Sequence, residues 1–300
     1  MYQTSAVSAS SLIALLKTMR PKQWAKQVFI LAPLVFDGKL FQPYFVGRAL
    51  LAVAVFCLVS GAVYVMNDLA DIEKDRAHPV KRNRPLASGR LSPSLARGAV
   101  VGLVAVSFVT AYLLGPSFLA VTALYFGLNV AYSFGLKEQL ILDLFTIAAG
   151  FVLRVGAGVI VVDVARFSPW LYVCTTLLAL FIAISKRRHE QVLLAGNAEN
   201  HRSTLAGYTL PLLDQYSMVV ISATLMAYSL YTFSAPNLPA NHSMMLTIPF
   251  VIYGLFRYMY LVQVKGMGGA PEEIVLRDKP LIVDLLLWSL AVGLVLYVFG

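Results

Sequence analysis

The sequence predicts an all-α, polytopic membrane protein, a bundle of about nine transmembrane helices. Of its 300 residues, 59% are hydrophobic and only 13% are charged, and the mean hydropathy is +0.74. A soluble domain has no use for so much apolar surface. Apolar stretches of the length that crosses a bilayer, about 17–25 residues, lie near 26–45, 48–67, 95–114, 117–134, 141–160, 169–186, 212–233, 246–264 and 281–299. No linker divides them, so we expect residues 1–300 to form a single domain.

The first of these spans is the least regular. Pro33, Asp37, Gly38 and Lys39 interrupt its apolar run, and proline, glycine and charged residues all disfavour a continuous membrane helix. An upstream start near Ser11 is the alternative.

The distribution of basic residues predicts how the bundle is oriented. Nineteen of the 24 Lys and Arg residues lie in the N-terminal arm and in the second, fourth, sixth and eighth connections between spans. Three, Lys39, Arg48 and Arg166, lie in the other connections. Positive residues are enriched in cytoplasmic loops, so we expect the even-numbered connections on the cytoplasmic side of the inner membrane. The net charge of +9 then serves topology and anionic lipid or phosphate, and we expect no nucleic-acid partner.

An acidic cluster lies where the second span meets the second connection. Asn67, Asp68, Asp71 and Asp75 point within about one third of a turn of one another if they lie on one helix. Unpaired carboxylates at that distance repel one another, whereas Mg²⁺ takes oxygen ligands and completes its shell with substrate phosphates. The cluster therefore predicts a site for Mg²⁺ and a diphosphate. A solvated acidic helix end is the alternative.

Basic residues follow this cluster and predict where the phosphates bind. Lys81, Arg82 and Arg84 lie in the short second connection. Lys22, in the N-terminal arm, is a further candidate, although a lysine that only anchors the chain at the membrane interface has the same surroundings in sequence.

The fourth and sixth connections predict a second polar site. In the fourth, Lys137 is a candidate phosphate ligand, and Asp143 is either a ligand for a second metal or a ribose hydroxyl, or a helix cap. In the sixth, Lys186 and Arg187 are candidate phosphate ligands. His189 is not assigned as a base, because a lone histidine in a basic interfacial loop is more often solvated.

Arg154 lies well inside the fifth span. An arginine at the centre of a membrane helix costs at least about 2.5–3.5 kcal/mol, so we expect its guanidinium group to face a partner or a wet cavity. A structural hydrogen-bond clamp and a role in substrate binding are both open.

The motif Asn67-Asp68-x-x-Asp71-x-x-x-Asp75 resembles the first aspartate-rich motif of the UbiA superfamily of intramembrane prenyltransferases. Other stretches are similar to the decaprenyl-phosphate phosphoribosyltransferase branch of that superfamily, and the resemblance covers nearly the whole chain. These stretches are Arg20-Pro-Lys-Gln-Trp24, His78-Pro79-x-Lys81-Arg82-x-Arg84-Pro85, Tyr132-Ser133 with Lys137 and Asp143, Phe151-x-Leu153-Arg154, Lys186-Arg187-x-x-Glu190, His201-Arg202 and Pro271-Glu-Glu-Ile-x-Leu-Arg277-Asp278.

The resemblance implies a UbiA-type helical bundle and a Mg²⁺-dependent membrane glycosyltransferase. Such an enzyme moves 5-phosphoribose from phosphoribosyl pyrophosphate to a polyprenyl (decaprenyl) phosphate and releases pyrophosphate. The implied catalytic and metal-binding residues are Asn67, Asp68, Asp71 and Asp75. The implied substrate-binding residues are Lys22, Lys81, Arg82, Arg84, Tyr132, Lys137, Asp143, Arg154, Lys186 and Arg187.

Two other functions remain open. The nearer one is a sister enzyme that moves a prenyl group from an allylic diphosphate to an aromatic acceptor. Such relatives usually carry a second Asp-x-x-x-Asp cluster on the sixth loop, where this chain has only Glu190, Glu199 and Asp214. The more distant one is a lipid transporter, which we would expect to place polar residues near the bilayer midplane. Lipid chain length and oligomeric state are left open.

Overall fold

The computed structural model describes residues 9–164, 168–194, 205, 207–235, 238–269, 274–275 and 277–298. These ranges are helical, with no β-strand among them. The α-helices are α1 (Ala9–Thr18), α2 (Ala32–Phe36), α3 (Pro43–Ala70), α4 (Ile72–Ala77), α5 (Pro93–Leu114), α6 (Pro116–Phe134), α7 (Leu142–Val162), α8 (Pro169–Leu194), α9 (Leu210–Ser234), α10 (Ile248–Gln263) and α11 (Lys279–Tyr297). Short 3₁₀ segments cover Pro21–Leu31, Lys81–Asn83, Leu136–Glu138 and Ser243–Thr247.

Eight helices in these ranges are long and apolar enough to cross a membrane. They correspond to the second to ninth predicted spans. The prediction of one continuous helix over 26–45 is wrong, because residues 9–36 form three short pieces in its place: α1, the 3₁₀ segment Pro21–Leu31 and α2. Arg20, at φ +56°, separates α1 from the 3₁₀ segment, and Gly38, at φ +68°, turns the chain after α2.

Helix α7 lies at the centre of the bundle. Near its start, Leu144 and Ala148 belong to an apolar core shared with α8, α9, α10 and α11. Near its end, Ala157 and Val161 belong to a second core, which they share with α3, α5 and α6. Gly158 lets the 3₁₀ segment lie directly on α7, since a Cβ there would be 2.1 Å from the carbonyl oxygen of Ile30.

Two basic residues that break the predicted charge asymmetry cap helix ends. The Lys39 ammonium group donates to the carbonyl oxygens of Val162 (3.0 Å) and Asp163 (2.7 Å), where α7 ends. The Arg48 guanidinium group donates to the carbonyl oxygens of Val161 and Leu114, both at 2.9 Å, where α7 and α5 end. The last carbonyls of a helix are unpaired and carry partial negative charge, so these cations have a structural task at this end.

The same contacts show that α3 and α7 run antiparallel, because Arg48 near the start of α3 meets the end of α7. The end of α3 and the start of α7 therefore lie at the opposite end of the bundle. The acidic cluster and Asp143 lie there.

Candidate active site

Two carboxylates of the acidic cluster meet at one guanidinium group. Nη1 of Arg84 is 3.2 Å from Oδ1 of Asp68 and 2.7 Å from Oδ2 of Asp75. Both aspartates are only 3% exposed. Asp68 lies in the last turn of α3 and Asp75 in α4, so the second connection folds back to place Arg84 between them.

The prediction that one continuous helix carries the whole acidic cluster is wrong. Helix α3 ends at Ala70, Asp71 has φ −102° and ψ 11°, and α4 begins at Ile72. The Asp71 carboxylate is 39% exposed and lies 4.0 Å from the Lys74 ammonium group. The predicted convergence therefore holds for Asp68 and Asp75 but is wrong for Asp71, and no group of three metal-binding side chains lies together in the described ranges.

Arg20 belongs to this site and was missed as a site residue by the sequence analysis. Its Nη2 is 2.7 Å from Oδ1 of Asp68, and its guanidinium carbon lies 4.7 Å from the ring centre of Tyr64. The left-handed backbone at Arg20 is uncommon for a residue with a side chain. One available signal was its place in the stretch Arg20-Pro-Lys-Gln-Trp24, which the resemblance had already singled out.

The remaining basic candidates of the first site lie on the surface. Lys22, Lys81 and Arg82 are exposed, and their side chains form no hydrogen bond or ion pair with the residues that the structure describes. They differ in this from Arg20 and Arg84, and their charges are available to a soluble anion.

A second polar network joins residues of the fourth and sixth connections, and it contains Asp143 and Arg187 of the four residues predicted for the second site. Arg187 in α8 is buried. Its Nε is 2.5 Å from Oδ2 of Asp143 at the start of α7, its Nη2 is 3.0 Å from the Tyr132 hydroxyl at the end of α6, and its Nη1 pairs with Glu190. The hydroxyl of Tyr208 donates to Oδ1 of Asp143 at 2.7 Å. We call these five residues the buried network.

The buried network leaves little for a ligand. Asp143 and Arg187 are each 0% exposed, and both oxygens of Asp143 accept hydrogen bonds from protein groups. The geometry therefore favours a structural role for Asp143 over a second metal or a ribose hydroxyl. Glu190 and Tyr208 were not predicted as site residues. Burial and the hydrogen bond to Asp143 raise the pKa of the Tyr208 hydroxyl.

Two lysines of the predicted second site are less enclosed. Lys186 and Lys137 are half-buried. The Lys186 ammonium group has no hydrogen-bond or ion-pair partner within the described ranges.

Arg154 lies deeper in the bundle than either group. It is 11 residues along α7 from Asp143, about 16 Å at 1.5 Å per residue. Its guanidinium group donates to Gln27 Oε1 (2.8 Å), the Gly150 carbonyl (2.8 Å) and the Tyr125 hydroxyl (2.6 Å). The geometry favours the structural clamp, which joins the 3₁₀ segment, α6 and α7.

Several predicted motif residues lie outside the described residues. These are Arg166, Glu199, His201, Arg202, residues 271–273 and Leu276. The described part of the eighth connection lies against α8, where the Gly268 N–H donates to Nδ1 of His189 at 3.2 Å. At its end, Arg257 pairs with Asp278 at 2.8 Å.

Comparison with known proteins decides the family. The sequence model of the UbiA prenyltransferase family matches residues 28–268. The chain belongs to the UbiA prenyltransferase family. It is therefore a multi-pass membrane protein, in agreement with the eight long apolar helices in the part of the chain that the structure describes.

Within the UbiA family the chain has relatives with a stated activity. It is 34% identical to a decaprenyl-phosphate phosphoribosyltransferase of Mycolicibacterium smegmatis, over 94% of this chain and 92% of that protein. It is 32% identical to a protein of the same name from Corynebacterium glutamicum, over 95% of this chain and 87% of that protein.

A solved UbiA homolog shares the fold. The structure from Archaeoglobus fulgidus, bound to GPP and Mg²⁺, matches with a TM-score of 0.71 at 18% identity and covers 94% of this chain and 99% of that one. This likeness confirms the predicted UbiA-type helical bundle.

The donor set of the first site fits a divalent cation. Oxygens of Asp68 and Asp75 already converge on one cationic nitrogen of Arg84, and convergent carboxylate oxygens are what Mg²⁺ requires of a protein. Asn67 and Asp71 lie beside them in sequence at the end of α3. The metal-binding role of each of the four residues stays a prediction.

Proposed function

We propose that this protein transfers 5-phosphoribose from phosphoribosyl pyrophosphate to decaprenyl phosphate, or a similar polyprenyl phosphate, and releases pyrophosphate. The observation that carries the proposal is the match to decaprenyl-phosphate phosphoribosyltransferases over 94–95% of the chain. The half-buried Lys137 and Lys186, outside the first site, support it, because this donor carries a 5-phosphate in addition to its pyrophosphate.

The first site would hold the pyrophosphate end of the donor. Asp68 and Asp75, with Asp71 and Asn67, would hold Mg²⁺, which neutralises negative charge on the leaving pyrophosphate. Arg84 and Arg20 would turn from the carboxylates to the phosphates, and the exposed Lys22, Lys81 and Arg82 would add positive charge.

The reaction exchanges one bond at the anomeric carbon. A phosphate oxygen of the lipid forms a bond to C1 of the ribose, and the bond from C1 to the pyrophosphate oxygen breaks. The nucleophile is already an anion, so no strong general base is required. This agrees with His189, whose Nδ1 is occupied by the Gly268 N–H.

The proposed site lies on the cytoplasmic face of the inner membrane. Soluble phosphorylated donors are available in the cytoplasm. A cysteine at exposed Ser88 should then be protected from an impermeant thiol reagent added to intact cells, while a cysteine at exposed Asn241, at the other end of the bundle, should react. Labelling of Ser88→Cys alone would contradict this orientation.

Mass spectrometry of lipid products tests the reaction. Purified protein is incubated with decaprenyl phosphate and phosphoribosyl pyrophosphate, with Mg²⁺ or with EDTA. We expect phosphoribosylated lipid only with Mg²⁺. A parallel reaction contains geranylgeranyl diphosphate and an aromatic acceptor. A prenylated product there, with no turnover of phosphoribosyl pyrophosphate, would assign the protein to the sister enzymes instead.

A further inference from the structure

Tyr208 forms hydrogen bonds between the sixth and the fourth connections, which no sequence motif links. It lies in the sixth connection, directly before α9, and its side chain is 1% exposed within the core around α7 and α8. Its hydroxyl donates to Oδ1 of Asp143 at 2.7 Å and accepts from the Ile141 N–H at 2.9 Å. One hydroxyl group therefore satisfies a buried carboxylate and a backbone amide of another connection.

The amide that Tyr208 accepts belongs to a strained residue. Ile141 has φ +69°, and a β-branched residue at positive φ is an outlier. Such a backbone conformation is energetically unfavourable, and it persists only where the surrounding structure holds it in place. The Tyr208 hydroxyl supplies part of that restraint, at the end of the fourth connection, which contains Lys137.

The sixth connection lies closely against the fourth on either side of this hydrogen bond. A Cβ at Gly207 would be 2.9 Å from Cδ1 of Leu140, so the backbone before Tyr208 packs directly against the Leu140 side chain. Behind Tyr208, Nε2 of Gln191 donates to the Leu205 carbonyl at 2.7 Å and to the Tyr208 carbonyl. Gln191 lies one helical turn beyond Arg187, so Tyr208 is held from the end of α8.

We propose that Tyr208 is a positioning residue of the donor site: it holds the fourth connection against the end of α8, so that Lys137 and Lys186 present their ammonium groups to one anionic donor. The proposal rests on the proposed function. Tyr208 acts through other residues and not on the donor itself, because its side chain is buried and its hydroxyl is already engaged. Its raised pKa keeps the hydroxyl protonated as the donor to Asp143.

The variant Tyr208→Phe removes the hydroxyl and keeps the ring. Its matched control is Tyr216→Phe, since Tyr216 in α9 is half-buried and its hydroxyl has no hydrogen bond among the described residues. Hydrogen–deuterium exchange of the peptide that contains Ile141 should become about tenfold faster in Tyr208→Phe and stay unchanged in the control.

Kinetics then separate positioning from simple destabilisation. We expect Tyr208→Phe to raise the KM for phosphoribosyl pyrophosphate about tenfold and to leave kcat and the KM for the lipid within about twofold. In a Lys137→Ala background the same change should raise this KM much less, because residues that act as a unit are not additive.

Faster exchange with an unchanged KM, or equal effects of Tyr208→Phe with and without Lys137, would overturn the positioning role and leave the proposed function intact. A wild-type protein that makes no phosphoribosylated lipid would overturn the proposed function, and this role with it.

Discussion

Two arginine–aspartate groups lie at the same end of the bundle and differ in how enclosed they are. In the first site, the Arg20 and Arg84 side chains are 34% and 29% exposed while they hold buried Asp68 and Asp75. In the buried network, the Arg187 side chain is 1% exposed. The first pairing leaves its cations partly open to water, whereas the second encloses both its cation and Asp143, and of its charged side chains only Glu190 is partly exposed.

This difference in the exposure of the arginine side chains determines which cations are free to change partners. A partly exposed arginine loses less when it leaves one anion for another, because water solvates its charge during the exchange. A buried arginine has no such freedom, since an unpaired charge in the interior costs several kcal/mol. We therefore expect Arg84 to exchange with a metal ion and Arg187 to stay where it is.

The largest expected effect is on stability, at Arg187. Arg187→Gln leaves the buried Asp143 without its cation and should lower the free energy of unfolding by about 3–5 kcal/mol. Thermal unfolding in detergent measures the change. Added Mg²⁺ should not restore the stability, because the Asp143 carboxylate is 0% exposed and offers no oxygen to a metal ion from solvent.

Arg84→Gln is the matched comparison. It also removes a cation from buried carboxylates, but at a site that a metal ion can enter. Its loss of stability should be smaller and should disappear at millimolar Mg²⁺, since a ligand that binds only the folded state stabilises it. If Mg²⁺ rescued both variants, or neither, the contrast between the two groups would be wrong.

The next effect is on turnover, at the carboxylates. Asp75→Asn removes a charge from the first site while it keeps the shape of the side chain, and turnover should fall about a hundredfold or more. Asp163→Asn, an exposed change at the other end of the bundle, should leave turnover unchanged. Product formation at saturating donor measures both, and equal turnover for Asp75→Asn and wild type would exclude Asp75 from the site.

The sequence predicted the helices better than their ends. A run of 20 apolar residues indicates a membrane helix without help from its neighbours, so the second to ninth spans were predicted correctly. The break at Asp71 was not predictable from periodicity, because the spacing from Asn67 to Asp75 fits one continuous helix. The position of Arg84 between Asp68 and Asp75 also depends on how the second connection returns.

The partners of the charged residues could not be predicted from the sequence either. Arg187 and Asp143 were both recognised as polar residues at one end, but their roles as ligand or as mutual partner depend on burial. Tyr208 and Arg20 lacked a signal of spacing, since their partners are 65 and 48 residues away in the chain.

The smallest expected effect is at Lys186, and it tests the other side of the comparison. The neighbouring Arg187 is paired with protein groups. The Lys186 ammonium group has no such partner among the described residues and is available to a ligand. A hydrogen bond to a charged group is worth about 1.5–3 kcal/mol, so Lys186→Ala should raise the KM for phosphoribosyl pyrophosphate about tenfold or more. Stability should change little, in contrast to Arg187→Gln.

Lys265→Ala, which removes an exposed charge from the eighth connection, is the control for a general loss of positive charge and should leave the KM for phosphoribosyl pyrophosphate within about twofold. Equal effects of the two lysine variants would mean that the donor is attracted by the overall charge of this face and not bound by Lys186.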